Sequence, residues 1–280
     1  AACILALLLF FACSALLYVT KLATSTQKIP DADIKAISND YLNEATEKQM
    51  DDYWTVAIFG VDSRNGNIGK GTSADTQMLL TLNRANGEIR LVSVYRDTLL
   101  MSNVKEGKCR KISSSYSEGG PEQAVTALNE NLDLKIGDYV SFSWKAAADA
   151  VNVLGGIDMD ITKAEYAYIN AFITETVDCT GIPSVHLTGP GPAHLDGVQA
   201  VAYSRLRLMD TDMNRTERQR KVIEAVLEKL KQADLPTINR LLETVLPQVA
   251  TSIDIGDYLE LGKNAGNYRI VKTEGFPTVY

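Results

Sequence analysis

Three apolar runs of strand length between residues 55 and 95 constrain the fold of this chain most strongly. The first run, residues 55–60, is nearly continuously apolar, which is typical of a strand buried on both faces. The second and third runs, residues 76–84 and 88–95, are separated by Asn86-Gly87, the strongest short signal for a hairpin. We therefore predict a buried strand followed by an antiparallel hairpin.

The predicted hairpin places charged residues at its open end. If Asn86-Gly87 forms a two-residue turn, Asp75 lies opposite Thr98 and diagonal to the Arg96-Asp97 pair. Residues 62–64, which are also charged, come just after the end of the first strand. Because ligands of open α/β sheets bind outside strand ends of this kind, these residues predict a binding site.

The charged residues at the ends of predicted elements have the composition of a phosphate and metal site. Arginine can bind phosphate through two parallel hydrogen bonds, and paired aspartates beside phosphate usually hold Mg²⁺. The candidates are Asp62, Arg64, Asp75, Arg96, Asp97, Arg205, Arg207, Asp212, Arg215, Arg218 and Gln219. Residues 203–221 contain six cations and three anions, although the whole chain has a net charge of −7. A positive island in an acidic chain indicates an anion site.

The positive island includes the predicted start of a helix. Asn214 and Glu217 resemble a capping box, and apolar residues at helical spacing continue to about residue 231. Arg215 and Arg218 would then lie in the first turn, where cations oppose the helix dipole. A bound anion would explain them. Alternatively, Asp212 and Glu217 neutralise them on the surface.

The first 20 residues contain no charged side chain, and an apolar helix of that length spans a bilayer. We predict a transmembrane anchor at residues 1–20, clipped at its start because it has no initiator Met and no basic segment. A cleaved signal peptide is the alternative. Residues 21–53 are predicted to form a stalk and a lead-in helix over 37–53. Residues 54–280 are predicted to form the catalytic domain.

The remaining predicted elements follow from apolar periodicity and from the positions of Gly and Pro. Helices are predicted at residues 121–133, 146–154, 163–175, 196–203, 236–248 and 255–263, and strands at 139–144, 157–161 and 268–272. A serine-rich loop is expected before residue 121, and residues 179–197 are expected to form a loop rich in Gly and Pro.

Composition excludes some functions. The acidic balance argues against a nucleic-acid surface, which needs a basic face. No Cys/His spacing indicates zinc, and His186 and His194 are expected on the surface. Outside the membrane, Cys109 and Cys179 could form a disulfide or remain two free thiols, and the sequence leaves both possibilities open.

From about residue 54 to residue 277, the chain resembles the LytR-CpsA-Psr family of bacterial cell-envelope glycopolymer ligases. The matching motifs are Gly60-Val-Asp62-Ser-Arg64, Ala74-Asp75-Thr76, Val94-Tyr95-Arg96-Asp97, Lys111-Ile112, Gly119-Gly120-Pro121, Leu195-Asp196-Gly197-Val-Gln199-Ala200, Tyr203-Ser-Arg205-Leu-Arg207 and Asp212-Met-Asn-Arg215-Thr-Glu-Arg218-Gln219. The chain departs from the usual family pattern at Tyr95, Ala74 and Ser113, where the family has Pro, Ser and often Asn. None of these departures removes a charged position.

The resemblance implies an α/β fold, an α-β-α sandwich with a mostly central β-sheet and an apolar pocket for a prenyl chain. It also implies a phosphotransferase that moves a glycopolymer, such as teichoic acid or capsule, from a polyprenyl-pyrophosphate carrier to a peptidoglycan sugar hydroxyl. A phosphodiester forms and polyprenyl phosphate is released. The partners would be the polyprenyl-pyrophosphate-linked glycan, peptidoglycan and the membrane. The protein would cross the cell membrane once, with its catalytic domain on the extracellular side.

The resemblance also assigns roles to the candidate residues. It implies that Asp62 and Asp75 hold Mg²⁺ or Mn²⁺. Pyrophosphate would be bound by Arg64, Arg96, Lys111, Arg205, Arg207, Arg215, Arg218 and Gln219. The catalytic residues would be Arg64, Asp75, Arg96 and Asp97.

Two questions stay open at the level of sequence. Asp97 could orient or deprotonate the acceptor hydroxyl, or it could orient Arg96. The same residues would also serve a polyprenyl-pyrophosphate hydrolase, or a non-catalytic protein that binds lipid carrier or cell wall. A transcriptional attenuator is disfavoured, because the chain has a predicted membrane segment, is acidic and shows no helix-turn-helix signature.

Overall fold

The computed structural model describes residues 42–63, 66–254 and 265–278, together with 20–21, 24–27, 29, 39, 256–257 and 260–261. The predicted anchor at 1–20 apart from its last residue, most of the stalk, Arg64 and most of the predicted helix at 255–263 lie outside the described residues. None of the helices in the described part is long and apolar enough to cross a membrane.

The described residues form a mixed α/β fold around a central sheet. The strands are β1 (Tyr53–Asp62), β2 (Ser73–Asn83), β3 (Glu88–Val94), β4 (Leu99–Asn103), β5 (Lys108–Lys111), β6 (Ile136–Ser143), β7 (Ile157–Ile161), β8 (Gly191–Leu195), β9 (Val249–Thr251) and β10 (Arg269–Phe276). The helices are α1 (Glu44–Met50), α2 (Ser113–Leu132), α3 (Trp144–Val153), α4 (Lys163–Thr180), α5 (Gly197–Arg205), α6 (Asp212–Gln232) and α7 (Leu235–Val245), with 3₁₀ turns at Leu246–Gln248 and Ala265–Asn267.

The central sheet has six strands in the order β10-β3-β2-β1-β6-β9. β2 is antiparallel to β1 and β3, whereas β6 runs parallel to β1 and β10 runs parallel to β3. The remaining four strands form two separate antiparallel ribbons, β4-β5 and β7-β8. The sheet is therefore mixed, with its most buried strand, β1, in the interior as its apolar run predicts.

Side chains from β1 pack on both faces of the sheet. Phe59 and Val61 join a core that includes Val125 and Leu128 of α2. Trp54 and its same-face neighbours pack in a second cluster on the opposite face. Because successive strand residues point to opposite faces, helices can cover both sides of the sheet.

The predicted hairpin is confirmed, but its turn is longer than expected. Residues 84–87 connect β2 to β3. Met78 pairs with Ser93, whereas a two-residue turn would have paired Met78 with Tyr95. The Asn83 side chain accepts hydrogen bonds from the backbone amides of Ala85 and Asn86, and Gly87 closes the turn with φ 73°. These local bonds favour the longer turn.

A β-bulge decides where the side chain of Asp75 points. Gly60 pairs with Thr76, but the next residue, Val61, pairs with Ala74, so Asp75 is the extra residue of β2. Without the bulge, Asp75 would pair with Val61, and its side chain would point to the face that packs against α2. The bulge places Ala74 opposite Val61 instead, so that the side chain of Ala74 lies on that face. Asp75 thereby reaches the charged end of the sheet.

Other differences from the predictions concern segments that the sequence reads as loops. Helix α2 begins at Ser113, and the expected serine-rich loop is helical up to a kink at Gly120, where φ is 71° and ψ is −160°. Pro121 starts the part after the kink, as predicted. Residues 179–197 are predicted to form a loop, but residues 191–195 form strand β8, which pairs with β7. The two strands form a ribbon outside the central sheet, where an edge strand tolerates Pro192.

Helix α6 begins at Asp212 with Thr211 as its N-cap residue, so the predicted capping box of Asn214 and Glu217 is wrong. Arg215 closes the first turn, and Arg218 lies in the second. Cys109 and Cys179 are both free thiols. His186 and His194 are exposed, as predicted.

Candidate active site

A cavity of about 560 Å³ lies between the central sheet and the helices α3, α4, α5 and α6. Much of its wall is apolar and includes Val140, Phe142, Trp144, Ala147, Val222 and Val226. The charged residues Asp62, Asp75, Arg207 and Arg215 line the same cavity. The site thus combines an apolar space with a charged cluster, as an amphiphilic ligand would require.

Asp75 is the centre of the charged cluster. Arg96 donates a hydrogen bond to its Oδ1, and Arg207 Nη2 lies 3.3 Å from its Oδ2. Arg215 Nη2 approaches the backbone oxygen of Asp75 at 3.5 Å. Residues from β2, the loop after β3, the loop after α5 and helix α6 therefore meet at one aspartate, two of them at its carboxylate and Arg215 at its backbone oxygen.

Helix α6 contributes polar groups whose hydrogen-bonding capacity is not filled by the described residues. Arg215 is 2% exposed and pairs with Asp212. Arg215 Nε, Asp212 Oδ2 and Gln219 Oε1 are buried and have no hydrogen-bond partner among the described residues. Since buried polar atoms are normally hydrogen-bonded, this wall is suited to a polar ligand.

The charge of Arg215 is held in an unfavourable setting. Burial lowers the pKa of its guanidinium to about 10, and although Asp212 opposes this effect, the neighbouring Arg207 adds to it. A phosphate anion beside Arg215 would relieve the repulsion between these cations.

Asp97 and Lys111 form an exposed pair beside Arg96. Lys111 Nζ lies 2.8 Å from Asp97 Oδ1, and Arg96 Nε lies 3.9 Å from the same oxygen. The hydrogen bond from Lys111, aided by the charge of Arg96, lowers the pKa of Asp97 below its ordinary value although partial burial opposes this effect. A carboxylate of lowered pKa is a weak base, so this environment favours a role in orienting Arg96 and Lys111.

Arg205 lines the cavity but is held mainly by the protein. Its guanidinium stacks on the Trp144 ring, 3.6 Å from the ring centroid. It donates to Thr176 Oγ1 at 2.7 Å and pairs with Glu175 at 2.9 Å. Arg205 thereby fixes a wall of aromatic and polar side chains.

Arg218 is also predicted to bind pyrophosphate, but it does not line the described cavity. Asp210 binds both of its terminal nitrogens, at 2.7 and 2.9 Å, and the Leu206 carbonyl accepts a further hydrogen bond. Glu165 lies 3.6 Å away. This geometry gives the terminal nitrogens of Arg218 a bracing role, whereas its buried Nε has no hydrogen-bond partner among the described residues. The contact of Arg218 with pyrophosphate stays a prediction.

The two predicted metal ligands, Asp62 and Asp75, line the same cavity. Two carboxylates beside a phosphate-binding cluster are a donor set that Mg²⁺ or Mn²⁺ accepts, the remaining ligands being phosphate oxygens and water. The residues therefore fit such an ion. The described residues contain no cluster of three or more Asp, Glu, His or Cys that could hold a metal without the substrate.

The resemblance implies an apolar pocket, but the sequence could not locate the cavity or identify part of its wall. Phe172, Trp144 and Glu175 carry no motif, and Val222 and Val226 read as an ordinary apolar helix face. Apolar periodicity identifies a buried face but cannot distinguish a core contact from a cavity wall.

Comparison with known proteins assigns the chain to a family. The model of the LytR_cpsA_psr family matches residues 16–278. The polyisoprenyl-teichoic acid–peptidoglycan teichoic acid transferase TagV of Bacillus subtilis (strain 168) is 26% identical over 235 residues, which are 82% of this chain and 57% of TagV. The chain thus spans less than two thirds of the length of that relative.

Solved structures share the fold. A structure described as TagT bound to LIIa-WTA has a TM-score of 0.64 and 21% identity, covering 89% of this chain and 86% of TagT. The LytR-CPS2A-psr family protein YwtF (TagT) with bound octaprenyl pyrophosphate lipid has a TM-score of 0.57 and 22% identity, covering 81% of this chain and 77% of its own. The family match extends over most of the sequence, and the chain therefore belongs to the LytR-CpsA-Psr family.

Proposed function

We propose that this protein is a phosphotransferase that moves a glycopolymer from a polyprenyl-pyrophosphate carrier to a sugar hydroxyl of peptidoglycan. The observation that carries the proposal is the joining of an apolar cavity to the charged cluster around Asp75. A prenyl chain suits the cavity and a pyrophosphate suits the arginines. The names of the relative TagV and of the lipid-bound structure point to the same chemistry.

In the proposed complex, the pyrophosphate exchanges partners with the protein. Arg96 and Arg207 are held by Asp75 in the structure described here, and Arg215 by Asp212. Phosphate oxygens would take over these guanidinium groups. Gln219, whose side-chain oxygen is buried on the same helix, would orient the ligand from the cavity wall.

Asp62 and Asp75 would hold Mg²⁺ or Mn²⁺, which when bound would neutralise charge on the phosphate oxygens. Releasing Arg96 and Arg207 to the substrate leaves the carboxylate of Asp75 free for this role. The arginines and the aspartates therefore act as one set whose partners change when the substrate binds.

The reaction needs little covalent work from the protein, because phosphoryl transfer depends mainly on positioning and charge stabilisation. The acceptor hydroxyl oxygen would attack the phosphorus next to the glycan. The bond from this phosphorus to the bridging oxygen breaks, and polyprenyl phosphate leaves with the bridging oxygen. The hydroxyl proton passes to solvent, since the lowered pKa of Asp97 makes it a weak acceptor.

The proposed setting is the outer face of a bacterial cell membrane. The support is the uncharged segment at residues 1–20, which has the length of a membrane anchor. A substrate with a prenyl tail would also be presented at a membrane.

The test uses the full chain with a polyprenyl-pyrophosphate saccharide and Mg²⁺, with and without peptidoglycan fragments. Mass spectrometry follows polyprenyl phosphate and the saccharide joined to peptidoglycan. Release that depends on the acceptor and disappears with EDTA and in Arg96→Ala supports the proposal. Release without linkage to the acceptor would instead indicate a hydrolase, and retention of lipid without turnover would indicate a binding protein.

A further inference from the structure

Leu208, in the loop between α5 and α6, combines two unfavourable features. Its side chain is 79% exposed, and its backbone φ is 78°, in the left-handed region that a branched residue rarely adopts. Asn or Gly would occupy the same conformation with less strain and would expose less apolar surface. A strained, exposed leucine beside a binding site is better explained by a function of its side chain than by folding.

The loop holds Leu208 in this conformation from both sides. The preceding residue, Arg207, is bound to Asp75, and two residues later Asp210 is bound by Arg218 through both carboxylate oxygens. Met209, between them, packs against the core formed by the helices. The leucine is therefore presented outward by a rigid frame that the charged cluster itself builds.

Two further exposed apolar side chains lie next to residues of the same cluster. Leu99 is 73% exposed and pairs with Lys111 across the β4-β5 ribbon. Met213 is 38% exposed and follows Asp212 at the start of α6. We call Leu99, Leu208 and Met213 the apolar rim. Contacts from Lys111 to Asp97, from Arg96 to Asp75 and from Arg215 to Asp212 join the segments that carry it.

The ribbon beside the apolar rim is basic. Residues 99–111 contain four cations, Lys105, Lys108, Arg110 and Lys111, and one anion, Glu106. All four residues of β5 are exposed. Three of these cations pair with carboxylates, Lys108 with Glu106, Arg110 with Glu118 and Lys111 with Asp97, so the ribbon and its paired carboxylates keep a net charge of +1. In a chain of net charge −7, this local positive excess favours a negatively charged partner surface. Exposed apolar residues beside lysines and arginines are characteristic of segments that lie in the headgroup region of a membrane.

We infer that the apolar rim and the basic β4-β5 ribbon rest on an anionic lipid surface, with Leu208 inserted among the headgroups. This inference deepens the proposed function, because the prenyl cavity would then open where its substrate leaves the bilayer. A second copy of the chain, or a glycan, could also cover an apolar rim. The basic ribbon and the adjoining apolar cavity favour lipid.

The test measures contact with lipid independently of turnover. The full chain is reconstituted in vesicles of phosphatidylcholine with added phosphatidylglycerol, carrying either Leu208→Trp or the control Leu235→Trp. Leu235 matches Leu208 closely, since it is 80% exposed but lies at the start of α7. Lipids brominated on their acyl chains quench tryptophans that reach the bilayer. Val185→Trp, in the exposed loop before β8, is a second control.

We expect quenching of the added tryptophan to be about twofold or more greater at residue 208 than at residue 235 or 185, with emission shifted to the blue. Equal quenching at the three positions would overturn the inference, since tethering alone would then account for it. Protection of residue 208 without bromine quenching would also overturn it and would point to a second copy or a glycan.

A second variant separates this inference from the proposed function. Leu208→Asn fits the left-handed backbone and removes the apolar side chain. We expect it to lose the lipid contact and to slow turnover of a bilayer-embedded donor about tenfold, with little change for a short-chain donor in solution. If the parent chain turns over neither donor but residue 208 is still quenched, the proposed function fails and the lipid contact stands.

Discussion

Arg215 and Arg218 lie three residues apart on helix α6, are almost equally buried, and are bound in different ways. Asp210 holds both terminal nitrogens of Arg218, which does not line the cavity. Arg215 lines the cavity, and one of its terminal nitrogens pairs with Asp212. The Nε of each arginine is buried and has no hydrogen-bond partner among the described residues, so the two differ in their terminal nitrogens and in their access to the cavity. The burial of an arginine therefore does not indicate its role, whereas its access to the cavity and the acceptors that hold its terminal nitrogens do.

The same contrast applies to Arg96 and Arg205. Arg205 is fixed by Trp144, Thr176 and Glu175, whereas Arg96 is held by Asp75, itself a predicted metal ligand. The first arrangement is complete within the protein. The second is suited to an exchange of partners when substrate and metal bind.

Arg218→Ala tests whether the ion pairs of Arg218 stabilise the fold, and it has the largest expected effect. We expect the free energy of unfolding to fall by about 3–5 kcal/mol, because Asp210 and the buried Glu165 lose their cation. Chemical denaturation measures it. Lys221→Ala removes an exposed pair with Glu217 on the same helix and should cost less than about 0.5 kcal/mol. Unchanged stability with loss of pyrophosphate binding would make Arg218 a ligand-binding residue.

Arg96→Ala tests whether Arg96 leaves Asp75 and binds the substrate. We expect turnover to fall about 10²–10³-fold while the unfolding transition changes little, because Arg96 is half-exposed and would stabilise charge in the transition state. Steady-state turnover and thermal unfolding are measured together. Arg84→Ala, in the turn between β2 and β3, is the control and should keep full turnover. Unchanged turnover in Arg96→Ala would remove the site assignment.

Val226→Trp tests the apolar part of the site separately from the charged part. The larger side chain would fill the apolar cavity and leave the charged cluster intact. Overpacking of a buried site costs about 1–3 kcal/mol, so we expect about tenfold slower turnover of donors with long prenyl tails. Donors with short tails should be affected less. Competition between long- and short-tailed donors provides the measurement, with Val185→Trp on the exposed loop as the control. Equal losses for both donors would argue that the cavity does not hold the tail.

Asp97→Asn has the smallest expected effect. The pKa of Asp97 is below its ordinary value of 3.8, so its charge and its contact with Lys111 persist above that value and are lost as the pH falls through the lowered pKa. We expect turnover to fall less than about tenfold, with an unchanged profile between about pH 5 and about pH 9. A 10²–10⁴-fold loss with a missing acid limb would identify Asp97 as a general base.

Much of the fold could be predicted from local sequence. The run at residues 55–60 is a buried strand, the hairpin exists, and helix α6 covers the predicted residues to position 231. These elements have strong apolar periodicity, which local sequence encodes. The predictions failed where a side chain or an unusual backbone overrides the pattern, as at the longer turn after Asn83 and at the helix before Gly120.

The site was predictable in composition but not in arrangement. Charges at strand and helix ends suggested which residues belong to it, and the structure joins Asp75 to Arg96, Arg207 and Arg215. The sequence could not distinguish Arg218 from the arginines that line the cavity. Its partners Asp210 and Glu165 lie in the loop before α6 and in α4, and only the fold brings them to Arg218. The sequence also could not show that Leu208 is strained and exposed.

The sequence by itself determined the mixed α/β fold, the family and the residue types of the charged cluster, since these rest on periodicity, motifs and residue type. Only the tertiary structure decided which charged groups line the cavity and which pair with each other. The bulge that turns Asp75 away from the core arises from the pairing of Val61 with Ala74. Pairing between strands and ion pairing between distant segments are non-local contacts, and no local pattern in the chain specifies them.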